Sequence, residues 1–384
     1  MGNEKLAKAK DVKNDECYTR WRDIEQEVLA YLDYDKDTFR GKTVLCPCDD
    51  PEWSNFTKFF ALRFTELGLK KLICTSYAPD TKVTVYNRQL SLFEMDDTPF
   101  VDSPNFDKKK QTSNGKIFIL EEKNTDSIKR MSIENIKWDY LKGDGDFRSS
   151  EITKLRDESD IIVTNPPFSL FNEFWEWLTE SHKKFIIIAN KLSLAYKNIF
   201  PYVMKNQVWS GVTRWSGGLW FTTTPNADET DRNTMKNVAA IFITNLDHGR
   251  RHKPLELLTM EENLRYSRHK DLKQKGYLRL ENYDAIDVPY TNSIPKGYKG
   301  IMALPPTFLE YFCPEQFEIV GMCENLDLYG LKTRLYTSVE KKDAYFAKFG
   351  RKGDYDLNAS GVYIENGLLE KTATRILIRE KEST

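Results

Sequence analysis

Apolar positions along the chain fall into short continuous runs separated by longer helical stripes. Residues 43–48, 71–76, 160–163 and 184–189 are apolar runs of the length expected for buried strands. Between the first two, Ser54 is placed to N-cap a helix over 55–67, and Gly68 marks its end. Strand, helix, strand in that order predicts a βαβ unit and a parallel sheet. A lead-in turn and helix over 15–32 precede it, with Ile24, Val28 and Leu32 on one face. Further on, the pattern predicts a helical turn over 153–157, an aromatic-rich helix over 170–180, and a helix over 192–205 interrupted at Pro201.

The rhythm breaks over 78–135. Polar turns and two hairpin strands, at 83–86 and 116–120, suggest an insertion that leaves the sheet and returns at 136–141. Strand-like runs at 207–214, 218–223 and 237–245 have no helices between them, which predicts an antiparallel end to the sheet. The expected division is therefore a first domain over 1–245 and a C-terminal region over 246–384.

Composition narrows the class only a little. Net charge is −1 over 384 residues, so no global basic signal points to nucleic acid. The local exception is 250–279, with nine Lys or Arg against four acids, a net of +5. Arg250, Arg251, Lys253, Arg268 and Lys270 are its candidate phosphate contacts; an ordinary solvated face fits the same run. The six cysteines form no Cys-x-x-Cys pair, which fits a reducing cytoplasm. His248 and His252 stand four apart without a third ligand, so no metal is expected. The polar, Lys-rich residues 1–13 lack the apolar core of a signal peptide, and the run at 185–189 is too short to span a bilayer.

The chemistry concentrates where strands end. Thr164-Asn165-Pro166-Pro167-Phe168 follows the 160–163 strand. Methylating an exocyclic amine requires its delocalised lone pair to be localised. The Asn165 side-chain oxygen and the Pro166 carbonyl can each accept one N–H, the two prolines hold the turn rigid, and Phe168 can stack on a base. The other strand-end segments are Cys48-Asp49-Asp50-Pro51 and Gly143-Asp144-Gly145-Asp146-Phe147. Asp15-Glu16-Cys17-Tyr18-Thr19, by itself, is a capping cluster. No Gly-x-Gly-x-x-Gly, P-loop or Gly-x-Ser-x-Gly is present. On the residues alone, an RNA or protein-amide methyltransferase and a non-catalytic DNA-binding protein on the same scaffold both remain open.

These segments resemble, in order, the EcoRI-type adenine-specific DNA methyltransferases. The likeness rests on Asp15 to Thr19, on Cys48-Asp49-Asp50-Pro51-Glu52-Trp53-Ser54-Asn55-Phe56, on 67–73, 143–147 and 160–171, and more weakly on 301–320 and 375–379. The resemblance implies a class I, Rossmann-like α/β fold with a mixed, mostly parallel seven-stranded sheet flanked by helices. It implies S-adenosylmethionine as methyl donor, bound by a catalytic domain over 1–245, with a DNA-recognition region over 246–384. Tyr18, Thr19, Cys48, Asp49, Asp50, Pro51, Asn55, Phe56, Ser76, Asp146 and Phe147 would then bind the cofactor. Asn165, Pro166, Pro167 and Phe168 would grip an adenine flipped from double-stranded DNA. It further implies a cytoplasmic, bacterial or phage-encoded monomer or weak dimer, with a separate restriction endonuclease as an optional partner. The glycine-rich loop and the acid after the second strand, common in the wider superfamily, are replaced here by Pro51-Glu52-Trp53 and Thr75-Ser76-Tyr77.

Overall fold

A computed structural model describes residues 18–78, 110, 113–123, 136–222, 229 and 231–382. The lead-in residues 15–17 and the strand expected at 83–86 lie outside them. The chain divides into two compact units, Met1–Lys191 with Ser210–His248, and Leu192–Trp209 with Gly249–Thr384. Residues 192–209, read from sequence as part of the first domain, group with the second.

The first unit is built on β2 (Thr43–Cys46), β3 (Lys71–Thr75), β6 (Ile161–Thr164) and β7 (Lys184–Asn190). They run parallel in the order β3-β2-β6-β7. Residues in β2 and β6 are buried throughout, as expected for parallel strands covered on both faces. On one side of this core are β4 (Lys116–Glu121) and β5 (Asp139–Tyr140); on the other are β11 (Ala240–Thr244) and β8 (Trp209–Ser210). Of these, β4, β5 and β11 pair antiparallel. The sheet thus has eight strands, of which four form the parallel centre, where seven mostly parallel strands were expected. The strand at 116–121 does not leave the sheet as expected; it pairs with β3 along its length.

A separate three-stranded sheet, β1-β9-β10, joins Tyr18–Thr19, Leu219–Thr222 and Met235–Val238. The run at 237–245, read as one strand, therefore divides at Ala239 between two sheets. Helix α1 (Trp21–Tyr34) buries Ile24, Val28 and Tyr31. Helix α2 (Asn55–Leu62) buries Phe56, Phe59 and Phe60, each contributing roughly 1.5–3 kcal/mol relative to an exposed ring. Ser54 caps α2 by accepting from Phe56 N at 3.1 Å, as the sequence pattern predicted. The turns after α2 close at Gly68, whose φ of +64° favours glycine. Helices α3 (Ser150–Glu158) and α4 (Phe171–Glu180) follow β5 and β6.

In the second unit, the expected 192–205 helix is a short 3₁₀ turn and then α5 (Phe200–Met204). Pro201 lies in the first turn of α5, so it starts this helix where interruption was expected. Helices α6 (Met260–Tyr266) and α7 (Lys270–Lys275) follow. A four-stranded sheet has the order β12-β13-β17-β14, from Ala285–Asp287, Ile301–Leu304, Ile376–Glu380 and Phe317–Met322. Helix α8 (Ser338–Phe349) and the hairpin β15–β16 (Val362–Glu365, Leu368–Lys371) complete the unit. Among the described residues, no helix is long and apolar enough to cross a membrane.

Candidate functional site

The parallel strands β3, β2 and β6 end side by side, and Ser76, the Cys48 turn and the Asn165 turn emerge from those ends, while the 143–147 loop follows β5. Asp49 sits at the centre. It is 4% exposed. Its carboxylate accepts from Ser54 Oγ at 2.8 Å and from Thr164 Oγ1 at 2.5 Å, and from the backbone N–H of Asn165. Burial pushes its pKa up to about 7, against the pull of those three donors. Its own N–H donates to Thr75 O at 2.9 Å, and Cys48 N donates to Thr164 Oγ1 at 3.2 Å. One residue therefore ties the Cys48-Asp49-Asp50-Pro51 turn to the Asn-Pro-Pro-Phe turn.

The first strand arrives by a long-range pairing. Tyr18 registers with Thr222 and Thr19 with Phe221. Phe221 in turn meets the half-buried Phe168 ring edge-on, with centroids 6.5 Å apart. Asn55 Nδ2 donates to Thr19 O at 2.8 Å and to Glu229 Oε1 at 3.0 Å. Glu229 Oε1 also accepts from Trp21 N at 2.9 Å, at the start of α1, where no local side chain caps the helix.

On the other flank, Lys116 Nζ lies 2.6 Å from Glu52 Oε2, 3.5 Å from Asp50 Oδ2 and 4.6 Å from the Trp138 ring centre. Burial works against its charge, but Asp50 and Glu52 outweigh it and hold the ammonium above the ordinary lysine range. Lys116 N donates to the buried Ser76 Oγ at 3.2 Å. The 143–147 loop packs directly on Ser76: a Cβ at Gly145, whose φ is +82°, would lie 2.1 Å from Ser76 O.

Three candidates are placed differently from the rest. Phe56 is 1% exposed and faces Phe242 in the core. Phe147 is buried against Phe174 and Trp177, with centroids 5.2 and 5.8 Å away. Asp146 accepts from Arg148 Nη2 at 2.6 Å and Nε at 3.0 Å, which holds its pKa below the usual carboxylate range. Pro51 and Pro166 are buried. Asp50, partly buried, uses Oδ1 to accept from Glu52 N and Trp53 N.

In the second unit, Arg250 pairs with the buried Glu310 at 2.8 Å. Arg251 is buried over the Trp209 ring at 3.5 Å and donates to Asn206 Oδ1. Lys253, Arg268 and Lys270 are exposed. His252 contacts Glu315 at 2.8 Å.

Lys116, Glu229, Ser54 and Thr164 complete the first-unit site; Ser54 carried a local signal as a helix cap and Thr164 stood in the Asn-Pro-Pro-Phe stretch, while Lys116 and Glu229 carried none. A cavity of about 530 Å³ lined by Lys42, Asp160, His182 and Lys184 lies at the opposite, amino edge of the parallel strands. Ligands of open α/β sheets bind beyond the carboxyl ends, so the polar ring around Asp49 is the candidate site.

A mixed α/β sheet whose carboxyl edge presents an Asn-Pro-Pro-Phe turn beside a ring of polar groups defines a methyltransferase acting on an amine. Comparison with known proteins narrows this class. The family described as "Adenine-specific methyltransferase EcoRI" matches residues 5–381, and the chain belongs to that family; it is an adenine-specific DNA methyltransferase. It is 37% identical to the Type II methyltransferase M.EcoRI of Escherichia coli over 85% of this chain and 91% of that protein. It is 32% identical to M.MpnI of Mycoplasma pneumoniae, over 90% and 94% of the two chains. It is 30% identical to M.MgeORF184P of Mycoplasma genitalium, over 88% and 92%. No solved structure matches the chain significantly.

Proposed function

We propose that the chain transfers a methyl group from S-adenosylmethionine to the N6 amine of an adenine flipped out of double-stranded DNA. The observation that carries the reading is the Asp49 junction, which fixes a cofactor-side turn and the Asn165 turn to one carboxylate. A transfer reaction needs donor and acceptor held in register, and effective positioning alone can supply roughly 7–11 kcal/mol of barrier reduction.

In this reading, Asn165 Oδ1 and the Pro166 carbonyl accept the two amine hydrogens. That draws the nitrogen toward tetrahedral geometry and localises its lone pair. Phe168, backed edge-on by Phe221, stacks on the extruded base and offsets an unstacking cost of a few kcal/mol. Pro166 and Pro167 keep the acceptor carbonyl from turning away.

The residues present fit a polar, cationic cofactor. Thr19 Oγ1 is buried and has no hydrogen-bond partner among the described residues. Asp50, Glu52 and Glu229 bring three carboxylates near the strand ends against two lysines, Lys58 and Lys116. When bound, S-adenosylmethionine supplies an electrophilic sulfonium methyl. Thr19, Asp50, Asn55 and Ser76 would hold its polar groups. Asp146 would act only with its Arg148 partner retained or displaced, while Phe56 and Phe147 would support the site from the core. Lys253, Arg268 and Lys270 would meet phosphates. The enzyme would work in a bacterial or phage-infected cytoplasm, alone or beside an endonuclease of the same site.

Modification-aware sequencing of DNA from cells expressing the chain tests the reading. The expected result is N6-methyladenine at one recurrent sequence, absent with Asn165→Ala, while calorimetric binding of S-adenosylmethionine persists. Label transfer to RNA or protein with DNA adenines left unmodified would overturn it.

A further inference from the structure

Helix α8 turns its apolar stripe outward. It is a well-formed helix: Thr337 and Glu340 make a reciprocal capping box, and Gly350 ends it with φ +65°. Its inner face carries Lys341, Ala344, Tyr345 and Lys348. Ala344 and Tyr345 pack on the cluster of Tyr336, Tyr355, Leu357 and Val362. Lys348 Nζ donates to Tyr355 OH at 3.0 Å and pairs with Glu370, and Lys341 pairs with Asp354 at 3.7 Å.

The opposite face holds Val339, Lys342 and Phe346, which the steps of three and four residues place on one stripe; Phe349, at its edge, still touches the inner rings, with centroids 4.6 Å from Tyr345 and 5.9 Å from Tyr355. Val339 is 67% exposed, Phe346 58% and Phe349 47%. An amphipathic surface helix normally buries such residues. Lys342, Arg351 and Lys352 are also exposed, and among the described residues no ion pair engages them. Of the seven Lys or Arg at 332–352, Arg334, Lys341 and Lys348 pair with Glu340, Asp354 and Glu370, so the exposed, unpaired charge comes from Lys342, Arg351 and Lys352, set against the exposed Asp343.

Exposed apolar side chains beside Lys342 on the helix, with Arg351 and Lys352 just past its Gly350 cap, match duplex DNA. The cations meet phosphates, and the apolar groups meet thymine methyls or wedge between base steps. A second copy of the chain fits less well, because it would bring Lys342, Arg351 and Lys352 against like charge. We propose that this face of α8, with the exposed segment just past its cap, is a DNA-contact surface, with Lys342, Arg351 and Lys352 on the phosphates and Phe346 against the bases. The proposal rests on the reading that the substrate is duplex DNA. It adds a surface separate in sequence from the basic run at 250–279.

The test uses the full chain and a 30-bp unmodified duplex of mixed sequence. The triple variant Lys342→Ala, Arg351→Ala, Lys352→Ala should lower the salt slope of log K by about 2–3, near 0.9 per lost phosphate contact. The same number of charges removed at exposed Lys36, Lys70 and Lys154 should leave it within about one unit of wild type. Phe346→Ser should reduce kcat/KM on modification-free bacterial genomic DNA at least tenfold, with S-adenosylmethionine affinity unchanged. All substituted side chains are exposed, and matching circular dichroism melts will establish folding. If wild type methylates DNA and the α8 variants match it in slope and kcat/KM, the α8 proposal fails and the functional reading stands. If wild type neither binds nor methylates DNA, both fall. Unaltered DNA binding with an altered sedimentation coefficient would make the stripe a self-association face and overturn the proposal.

Discussion

Replacing Asp49 by asparagine isolates the charge at the junction from its shape. Asparagine keeps one oxygen as acceptor, and whichever of the Ser54 and Thr164 hydroxyls meets its amide can rotate to accept. The charge is lost and one hydrogen bond is reversed. Asp49 has its folded pKa raised to about 7 by burial, against about 3.9 in the unfolded chain. Between those values the native state binds more protons than the unfolded state. Stability from this group is therefore full below about pH 4 and declines as pH rises through 7. Integrating from pH 5 to pH 8 gives a loss of about 2.5 kcal/mol in wild type that Asp49→Asn lacks. Urea unfolding followed by tryptophan fluorescence at the two pH values reads this directly. The stability of the variant relative to wild type should rise by about 2.5 kcal/mol between pH 5 and pH 8. Of the titratable neighbours, Asp50 adds to the upward shift, and the buried Cys46 thiol is itself pushed up and stays protonated. Single-turnover methylation should titrate near pH 7 in wild type and lose that step in the variant. Parallel pH dependence of both proteins in both assays would refute the assignment of charge and role to Asp49.

Gly145→Ala should destabilise by at least about 2 kcal/mol in the same urea assay, because its Cβ would meet Ser76 O at 2.1 Å on a backbone with φ +82°. Glu229→Ala should cost about 1 kcal/mol of stability, as an N-terminal cap is lost from α1. In the proposed site it should also weaken calorimetric S-adenosylmethionine binding through Asn55, and Glu229→Gln should recover most of that loss.

The parallel core was legible because each strand is a continuous apolar run bounded by turn residues, and Ser54 announced its helix by chemistry that acts within three residues. The edges were not legible. The 116–121 strand shares its pattern with any hairpin, and only pairing with Lys71–Thr75 across an intervening stretch makes it part of the sheet. The 237–245 run is apolar on both sides of Ala239, so nothing local shows that it changes sheets. Pro201 is compatible with breaking or starting a helix; the first-turn position decided it. At the site, Asn165 and Asp49 stood out by motif. Glu229 did not, since its contacts with Trp21 and Asn55 span 208 and 174 residues. Phe147 carried an aromatic signature that fits either a cofactor cover or a core ring, and the fold packs it against Phe174 and Trp177.

The pairing of Tyr18–Thr19 with Phe221 and Thr222 has a consequence for synthesis. A growing chain of this protein can assemble its central βαβ unit early, from residues close in sequence. Its first strand has no partner until some 200 residues later, at synthesis rates of about 5–20 residues per second. Closing so long a loop is entropically slow to be rewarded. The floor beneath Phe168 therefore forms among the last parts of the first unit, and nascent or truncated chains ending before residue 219 would carry the motif without the surface that supports it.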